Sequence, residues 1–288
     1  MQSRDQNGVL ITEYVPNESQ GGIIRGTLKM IAEVYNARYL IWSMFLRDFN
    51  VQFRQQILGY FWAVLAPLMG IVSFVFLAYT GVLSPGDSGI PYPLYVFMGT
   101  SLWGFMIQAI TAVGGGLQLQ ADLIMRTNIP KVALAISSLS NVIYALLINC
   151  ITLLVVMAIM GFMPSFWVVL YPLLALPLII FGTGIGLILS VSSAIAKDLT
   201  KIVVQVFNVL MYATPVIYVI DKIEQPLVRK MIVCNPLTYL IDAPRALVCL
   251  GDTGYWAQYG WVSLGVAVFF IGSIRIFYLL QDLIAERL

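Results

Sequence analysis

The chain has 288 residues, of which 60% are hydrophobic and 10% charged, with a formal net charge of +2. Soluble domains carry about 25% charged residues, so an ordinary soluble globule is excluded. There is no histidine, which removes His-based acid–base catalysis, His metal sites and histidine triads. The three cysteines lack a metal-binding spacing, and no lysine precedes Ser or Thr, so the chain has no phosphate-binding loop of the usual pattern.

Residues 1–35 are mostly polar, rich in Gly, Asn, Ser and Gln near the start, and read as a mobile cytoplasmic tail. The first twenty lack the apolar centre of a signal peptide. Residues 36–55 change character. From Trp42, apolar residues recur at Phe45, Leu46, Phe49 and Phe53, while Ser43, Arg47, Asn50 and Arg54 share another face. That pattern predicts an amphipathic helix at a membrane surface. Pattern alone leaves two roles open for it: a plain anchor, or a helix that docks a partner and couples it to the membrane.

Charges then disappear in blocks. None occurs in 55–86, 88–121, 132–196, 202–220 or 253–274. A span needs about 20 mostly apolar residues, and the third block holds two, divided at Gly161 to Pro164. Six spans are predicted at about 57–80, 94–118, 134–160, 167–194, 202–220 and 257–280. With both ends inside, Arg4, Arg25, Lys29, Arg38, Arg47, Arg54, Arg126, Lys131, Lys197, Lys201, Arg275 and Arg287 are all cytoplasmic, twelve of the sixteen basic residues. The positive-inside rule selects this orientation.

Two inner loops join the spans. Gln120 to Leu134 contains Asp122, which suits a helix cap, and Pro130, which ends a helical turn. It reads either as a short helix contacting a soluble partner or as an ordinary basic turn. Ala196 to Lys201 is tighter, with Asp198 between two lysines. The outer segment, Asp221 to Gln258, mixes apolar patches with single charges. Asn235 followed by Pro236 predicts a helix start, and Asp242 and Arg245, three apart, are set to pair on it. Two short re-entrant or surface helices are expected here, suited to the lid of a pathway. Cys234 and Cys249 both fall in this segment, where an oxidising compartment would permit a disulfide. Cys150 lies mid-span as a small hydrophobe.

The spans carry packing signals as well. Gly182, Gly186, Ser190 and Ala194 form a small-residue ridge. Pro67, Pro172, Pro177 and Pro215 are placed to kink helices, and Gly114 to Gly116 to loosen the second span. Trp62, Phe74, Trp103, Phe105, Phe207 and Tyr212 lie deep. Such rings either pack or face lipid, or they line a path along which sugar rings slide. Tyr92, Tyr95 and Tyr218 sit near span ends and read as interface belt. The spans lack the carboxylates that ion-coupled transporters use, so an energy source outside the chain is expected.

Four runs together resemble a known family. RDFNVQFRQQILGYFWAVLAPL resembles the lead-in to the first span of ABC-2 type permeases that export polysaccharides, matching at Arg47, Asp48, Phe53, Arg54, Leu58, Gly59, Trp62, Pro67 and Leu68. Gln56 replaces the usual small hydroxyl residue. YPLYVFMGTSLWGFMIQAI resembles the second span, with Gly99 and Trp103 in place. DLIMRTNIPKVALAIS resembles the family's inner loop, with Arg126 at the usual lysine, Ile129 and Pro130 matching, and Lys131 following. NPLTYLIDAPRALV resembles the outer motif at Asn235, Pro236 and Arg245.

The resemblance covers about residues 40–288 and implies an all-α membrane protein. It would have six transmembrane helices, the interface helix, and two re-entrant helices between spans five and six. It implies a Wzm/TarG-like transport subunit, not an enzyme, in the inner membrane of a bacterium. Two copies would sit on a pair of ATPase chains that bind ATP and Mg; this chain binds no cofactor, metal or nucleic acid. The cargo would be a lipid-linked glycan such as O-antigen, capsule, teichoic acid or galactan. Arg47, Arg54, Leu123, Arg126, Ile129, Pro130 and Lys131 would face the ATPase, the six deep aromatics would line the channel, and Asn235, Pro236, Asp242 and Arg245 would form the outer gate. Three alternatives stand beside this: a permease for a drug or small lipid, a membrane-embedded glycosyl carrier enzyme, and an assembly subunit without transport.

Overall fold

The structure is a computed structural model. It describes residues 2–4, 10–12, 35–36, 38–51, 59–81, 89–119, 131–192, 198–220, 223–252 and 254–287. Of the N-terminal tail, two strands are described: β1 (Gln2–Arg4) pairs antiparallel with β2 (Leu10–Thr12). A hairpin was not expected in so polar a stretch; its strands alternate polar and apolar residues poorly, and it rests on backbone pairing.

Helices make up the rest: α1 (Arg38–Val51), α2 (Gly59–Tyr79), α3 (Tyr92–Leu119), α4 (Lys131–Ser137), α5 (Ser140–Ile159), α6 (Tyr171–Ser192), α7 (Leu199–Leu210), α8 (Pro226–Cys234), α9 (Pro236–Leu250) and α10 (Trp256–Arg287). In hydrocarbon every backbone N–H and C=O must be satisfied within the segment, which is why charge-free apolar runs fold as helices. Four stretches are long and apolar enough to cross a membrane: Tyr92–Gly116, Leu134–Ile159, Phe166–Ser192 and Trp256–Leu280. Two shorter apolar helices, Leu68–Tyr79 and Leu199–Ala213, accompany them among the described residues.

The breaks follow the local chemistry. Gly161 takes φ +64° just after α5, and Phe162 N–H donates to Met157 O. This is the left-handed helix ending that glycine tolerates best. The fifth predicted span is shorter than expected. Its helix gives way to a 3-10 turn at Met211–Ala213, and Thr214 is extended at φ −126°, ψ 143°. Pro215 explains this: it forbids the helical region to the residue before it and supplies no N–H. Pro172 falls in the first turn of α6, where it is tolerated, so it does not kink a span.

α3 is the central helix. Leu94, Val96, Phe97, Met98, Leu102, Met106, Ala109, Ile110 and Val113 along it are all 0% exposed. α6 packs on α3, and Gly182 and Gly186 sit at that contact; a Cβ on either would strike α3 at Met106, Ala109 or Val113. The small-residue ridge is thus a helix–helix seam at Gly182 and Gly186; Ser190 is buried and bonds Leu187 O within its own helix, and Ala194 lies outside the described residues. Gly184 faces α10 instead, against Phe269 and Ser273. Gly114 to Gly116 do not loosen α3, which stays helical to Leu119. Gly114 instead admits Thr200, and Gly116 admits Ser138. A polar network also crosses the core: Asn149 Nδ2 donates to Ser101 Oγ at 2.7 Å, and Tyr171 Oη donates to Asn149 Oδ1 at 3.2 Å. Outward, Leu147, Ile151 and Leu154 on α5 and Trp261, Leu264 and Val268 on α10 are exposed, as helices facing lipid require.

Candidate functional site

At one end of the bundle, the broken segment after α7 meets α3 and α9. Thr214 to Tyr218 leave the helical ladder, so their carbonyls need partners from elsewhere. Arg245 supplies two. Nη1 donates to Pro215 O at 3.2 Å and Nη2 to Val216 O at 3.0 Å. Nη1 also donates to Asp242 Oδ1 at 2.7 Å. The guanidinium carbon lies 3.6 Å from the centre of the Tyr95 ring, and the side chain is 2% exposed. Tyr95 Oη donates to Tyr218 O at 2.9 Å, and Tyr92 Oη to Ile217 O at 3.1 Å.

Asn235 works from the other end of α9. Its Oδ1 accepts from Leu237 N–H at 3.0 Å, capping the helix, with Pro236 in the first turn. Its Nδ2 donates to Thr214 Oγ1 at 3.0 Å. Gly99 completes the fit: a Cβ there would collide with Arg245 Nη2 and with Val216 O. The four residues read as an outer gate, Asn235, Pro236, Asp242 and Arg245, therefore lie on one helix and its cap, and Asn235 and Arg245 both grip the break at Thr214 to Val216. Sequence reasoning missed Tyr92 and Tyr95 as members of this clamp, because tyrosine near a span end is common as interface belt. Their three-residue spacing, one turn before Gly99, was the available signal.

Burial pushes the Asp242 carboxyl up to about 6, while the Arg245 guanidinium pulls the other way. Cys249 Sγ lies 3.3 Å from Met98 Sδ, and burial pushes its thiol up to about 12. Cys234 is exposed, and all three cysteines are free. The disulfide that the sequence permitted is not formed, because Cys249 is turned into the core against α3.

The deep aromatics are dispersed. Trp103 and Phe105 are 2% exposed within this chain. Trp103 lies 6.4 Å from Phe207 between ring centres, Phe207 lies 6.3 Å from Phe181, and Phe181 lies 5.4 Å from Phe269. One run of rings thus ties α3, α7, α6 and α10 together. Phe74 is half-buried, Tyr212 is exposed, and Trp62 belongs to α2 with its side chain outside the description. α7 turns Gln205 and Asn208 outward beside Ile202, Val206 and Val209, and Tyr212 in the 3-10 turn after it is exposed too.

On the side where α1 lies, Met44 is buried and Leu40 half-buried against a cluster with Leu134 and Ala135 of α4. Tyr39, Trp42 and Leu46 are exposed, and Arg47 is exposed beside them. The inner face of α1 is therefore the Leu40–Met44 side, and part of the apolar stripe read from sequence points outward. Arg38 lies 4.3 Å over the Tyr35 ring and 4.6 Å over the Tyr39 ring. Lys131 opens α4 and is half-buried. Arg54, Leu123, Arg126, Ile129 and Pro130 lie outside the described residues. Among the described residues no group of three His, Cys, Asp or Glu side chains is placed to hold a metal.

Comparison with known proteins adds a second line of observation. The family model described as ABC-2 type transporter matches residues 39–248. The chain is 28% identical over 229 residues to the O-antigen export system permease protein RfbA of Myxococcus xanthus, covering 76% of this chain and 84% of that one. It is 26% identical over 227 residues to an O-antigen export system permease protein RfbA of Klebsiella pneumoniae, covering 77% and 85%.

Proposed function

On the premise that this chain belongs to the ABC-2 type transporter family, we propose that it is the permease subunit of an ATP-driven exporter of a lipid-linked polysaccharide. The observation that carries this reading is the match, over about three-quarters of the chain, to permeases of O-antigen export. The chain is a multi-pass membrane protein and a transport subunit rather than an enzyme. ATP and Mg belong to a partner ATPase, since the sequence has no phosphate-binding loop of its own.

The finer architecture follows the same reading. α2 and α7 join the four longer apolar stretches as spans, giving six, and both termini are cytoplasmic. α1 lies at the inner surface, where exposed Tyr39 and Trp42 suit headgroups and Arg47 and Arg54 face an ATPase or lipid. The loop through Leu123, Arg126, Ile129, Pro130 and Lys131 transmits force. α8 and α9 are re-entrant, and residues 36–288 act as one membrane domain. Two copies form the channel: Gln205 and Asn208 on the outward face of α7 are costly against lipid, and a partner copy or an aqueous path between copies relieves that cost. ATP closure pushes on the inner loop and α1, and the first and fifth spans of the two copies part. The glycan then passes Trp62, Phe74 and Tyr212, with Trp103, Phe105 and Phe207 backing that wall.

The test is reconstitution with the cognate ATPase in vesicles carrying a lipid-linked glycan. ATP-dependent appearance of polymer on the far side is expected. Transport of a small lipid or drug with no polymer movement would overturn the cargo.

A further inference from the structure

Next to the Arg245 clamp, a cavity of about 90 Å³ opens between α8, α9 and the start of α10. α8 contributes Arg229 and Val233, α9 contributes Tyr239 and Asp242, and Tyr255 closes the other side. One water needs about 10–15 Å³ of such space, so the cavity has room for several waters or for a polar group of comparable size. Its walls are built rather than incidental. The Tyr239 and Tyr255 rings stand 5.8 Å apart between centres at 57°, forming a wedge of aromatic faces. Tyr239 is fixed by donating its hydroxyl to Val233 O at 2.9 Å. Asp242 is 15% exposed, and Arg245 takes its Oδ1. A carboxylate has about four lone-pair sites, so most of its accepting capacity remains.

This combination selects a ligand class. Aromatic faces accept an apolar surface, and a fixed carboxylate accepts from hydroxyls; mixed pockets of this kind orient small ligands. A sugar ring offers both features, a C–H face and hydroxyl donors. Arg229 lines the same cavity as a second polar group; the Asp242 carboxylate inside it favours hydroxyl donors over an anion, and an acyl chain would use neither polar group. We propose that this pocket is a glycan subsite, taking one neutral sugar unit with its C–H face on Tyr255 and Tyr239 and a hydroxyl donating to Asp242. The inference deepens the exporter reading and rests on it for the source of the sugar and for the outer placement of α8 and α9.

The experiment uses the full chain alone in nanodiscs, without ATPase. D-mannose, D-galactose, L-rhamnose and N-acetyl-D-glucosamine are offered separately at millimolar concentration, and saturation-transfer NMR reads contact with the ring protons. Transfer to at least one sugar is expected, reduced at least fivefold by Tyr255→Ala and by Tyr239→Ala. Tyr255→Trp keeps it, which ties the loss to the ring face rather than to folding. Trp261→Ala, an exposed aromatic elsewhere on α10, leaves it unchanged. Transfer that survives both tyrosine variants, or no transfer to any of the four sugars, overturns the subsite. Export with the ATPase present separates the two ideas: export without sugar transfer removes the subsite and leaves the exporter, whereas transfer without export removes the exporter and leaves the subsite.

Discussion

At the residue scale, Arg245 is the most demanding side chain. A buried guanidinium is tolerated only when it is paired; its two terminal nitrogens reach a carboxylate and two carbonyls and it lies on a ring face, while its Nε has no hydrogen-bond partner. Arg245→Ala is expected to cost about 3–5 kcal/mol, read as a lower melting temperature in detergent. Arg245→Lys recovers only part of it, because one ammonium cannot serve Asp242, Pro215 and Val216 in the geometry of the planar fork. Gly99 makes the same point through space. Gly99→Ala drives a methyl into Arg245 and Val216 and is expected to destabilise by about 1–3 kcal/mol. Gly115→Ala, where nothing lies within 4 Å, is expected to be neutral or to stabilise by up to about 1 kcal/mol. Equal melting shifts for the two alanines would sink the close-contact argument. Asp242 gives a pH signature. Its carboxyl is held at about 6 when folded, against an ordinary aspartate value of 3.8, so between those values the folded state binds more protons. Stability then falls as pH rises from about 4 to about 6 and levels above that. Asp242→Asn is expected to flatten that slope in melting curves taken across this range.

At the scale of elements, the legible parts were those that a run or a cap dictates. The charge-free blocks located α2, α3, α5, α6 and α10, and Asn235–Pro236 located the start of α9, because capping chemistry is local. The place where α7 stops was less legible. Pro215 marked a kink, but only tertiary partners decide that the chain abandons the helix there and hands its carbonyls to Tyr92, Tyr95 and Arg245. The pairing of Asp242 with Arg245 followed from spacing, while the third partner, Gly99 on a helix far off in sequence, carries no local sign. α1 shows the other limit. Its apolar residues extend beyond the stripe from Trp42, so periodicity could not say that Leu40 and Met44, rather than Trp42 and Leu46, face the chain. This matters for function, since the outward side carries Arg47. Arg47→Glu is expected to weaken copurification of the ATPase by at least tenfold while leaving the melting temperature within about 2 °C, as substitutions at exposed positions usually do. Unchanged copurification and unchanged export would return α1 to a plain anchor.

At the scale of the whole molecule, the single chain is well packed on one side and unfinished on another. α3 is sealed between α6, α5 and α2, whereas α7 and the turn after it leave Gln205, Asn208 and Tyr212 open beside an apolar groove of about 550 Å³ that includes Ile202, Val206 and Val209. A helix of this kind is stable in lipid only if its polar stripe is covered or wetted. A second copy related by a two-fold axis is the simplest cover, since most oligomers of identical chains close in this way. The prediction is specific to that stripe. With Cys150, Cys234 and Cys249 replaced by Ser, Asn208→Cys on α7 is expected to cross-link between two copies in native membranes under mild oxidation. Val268→Cys, on the lipid-facing side of α10 and 66% exposed in the single chain, is expected not to. The contrast carries the argument because both positions are exposed in one chain and only one lies on a polar stripe. Cross-linking at Val268 with none at Asn208 would place the dimer seam on α10, and the path would then have to be sought away from α7. Cross-linking at Asn208 that ATP and the ATPase reduce would tie the seam to the transport cycle, as expected if the fifth spans part while polymer moves.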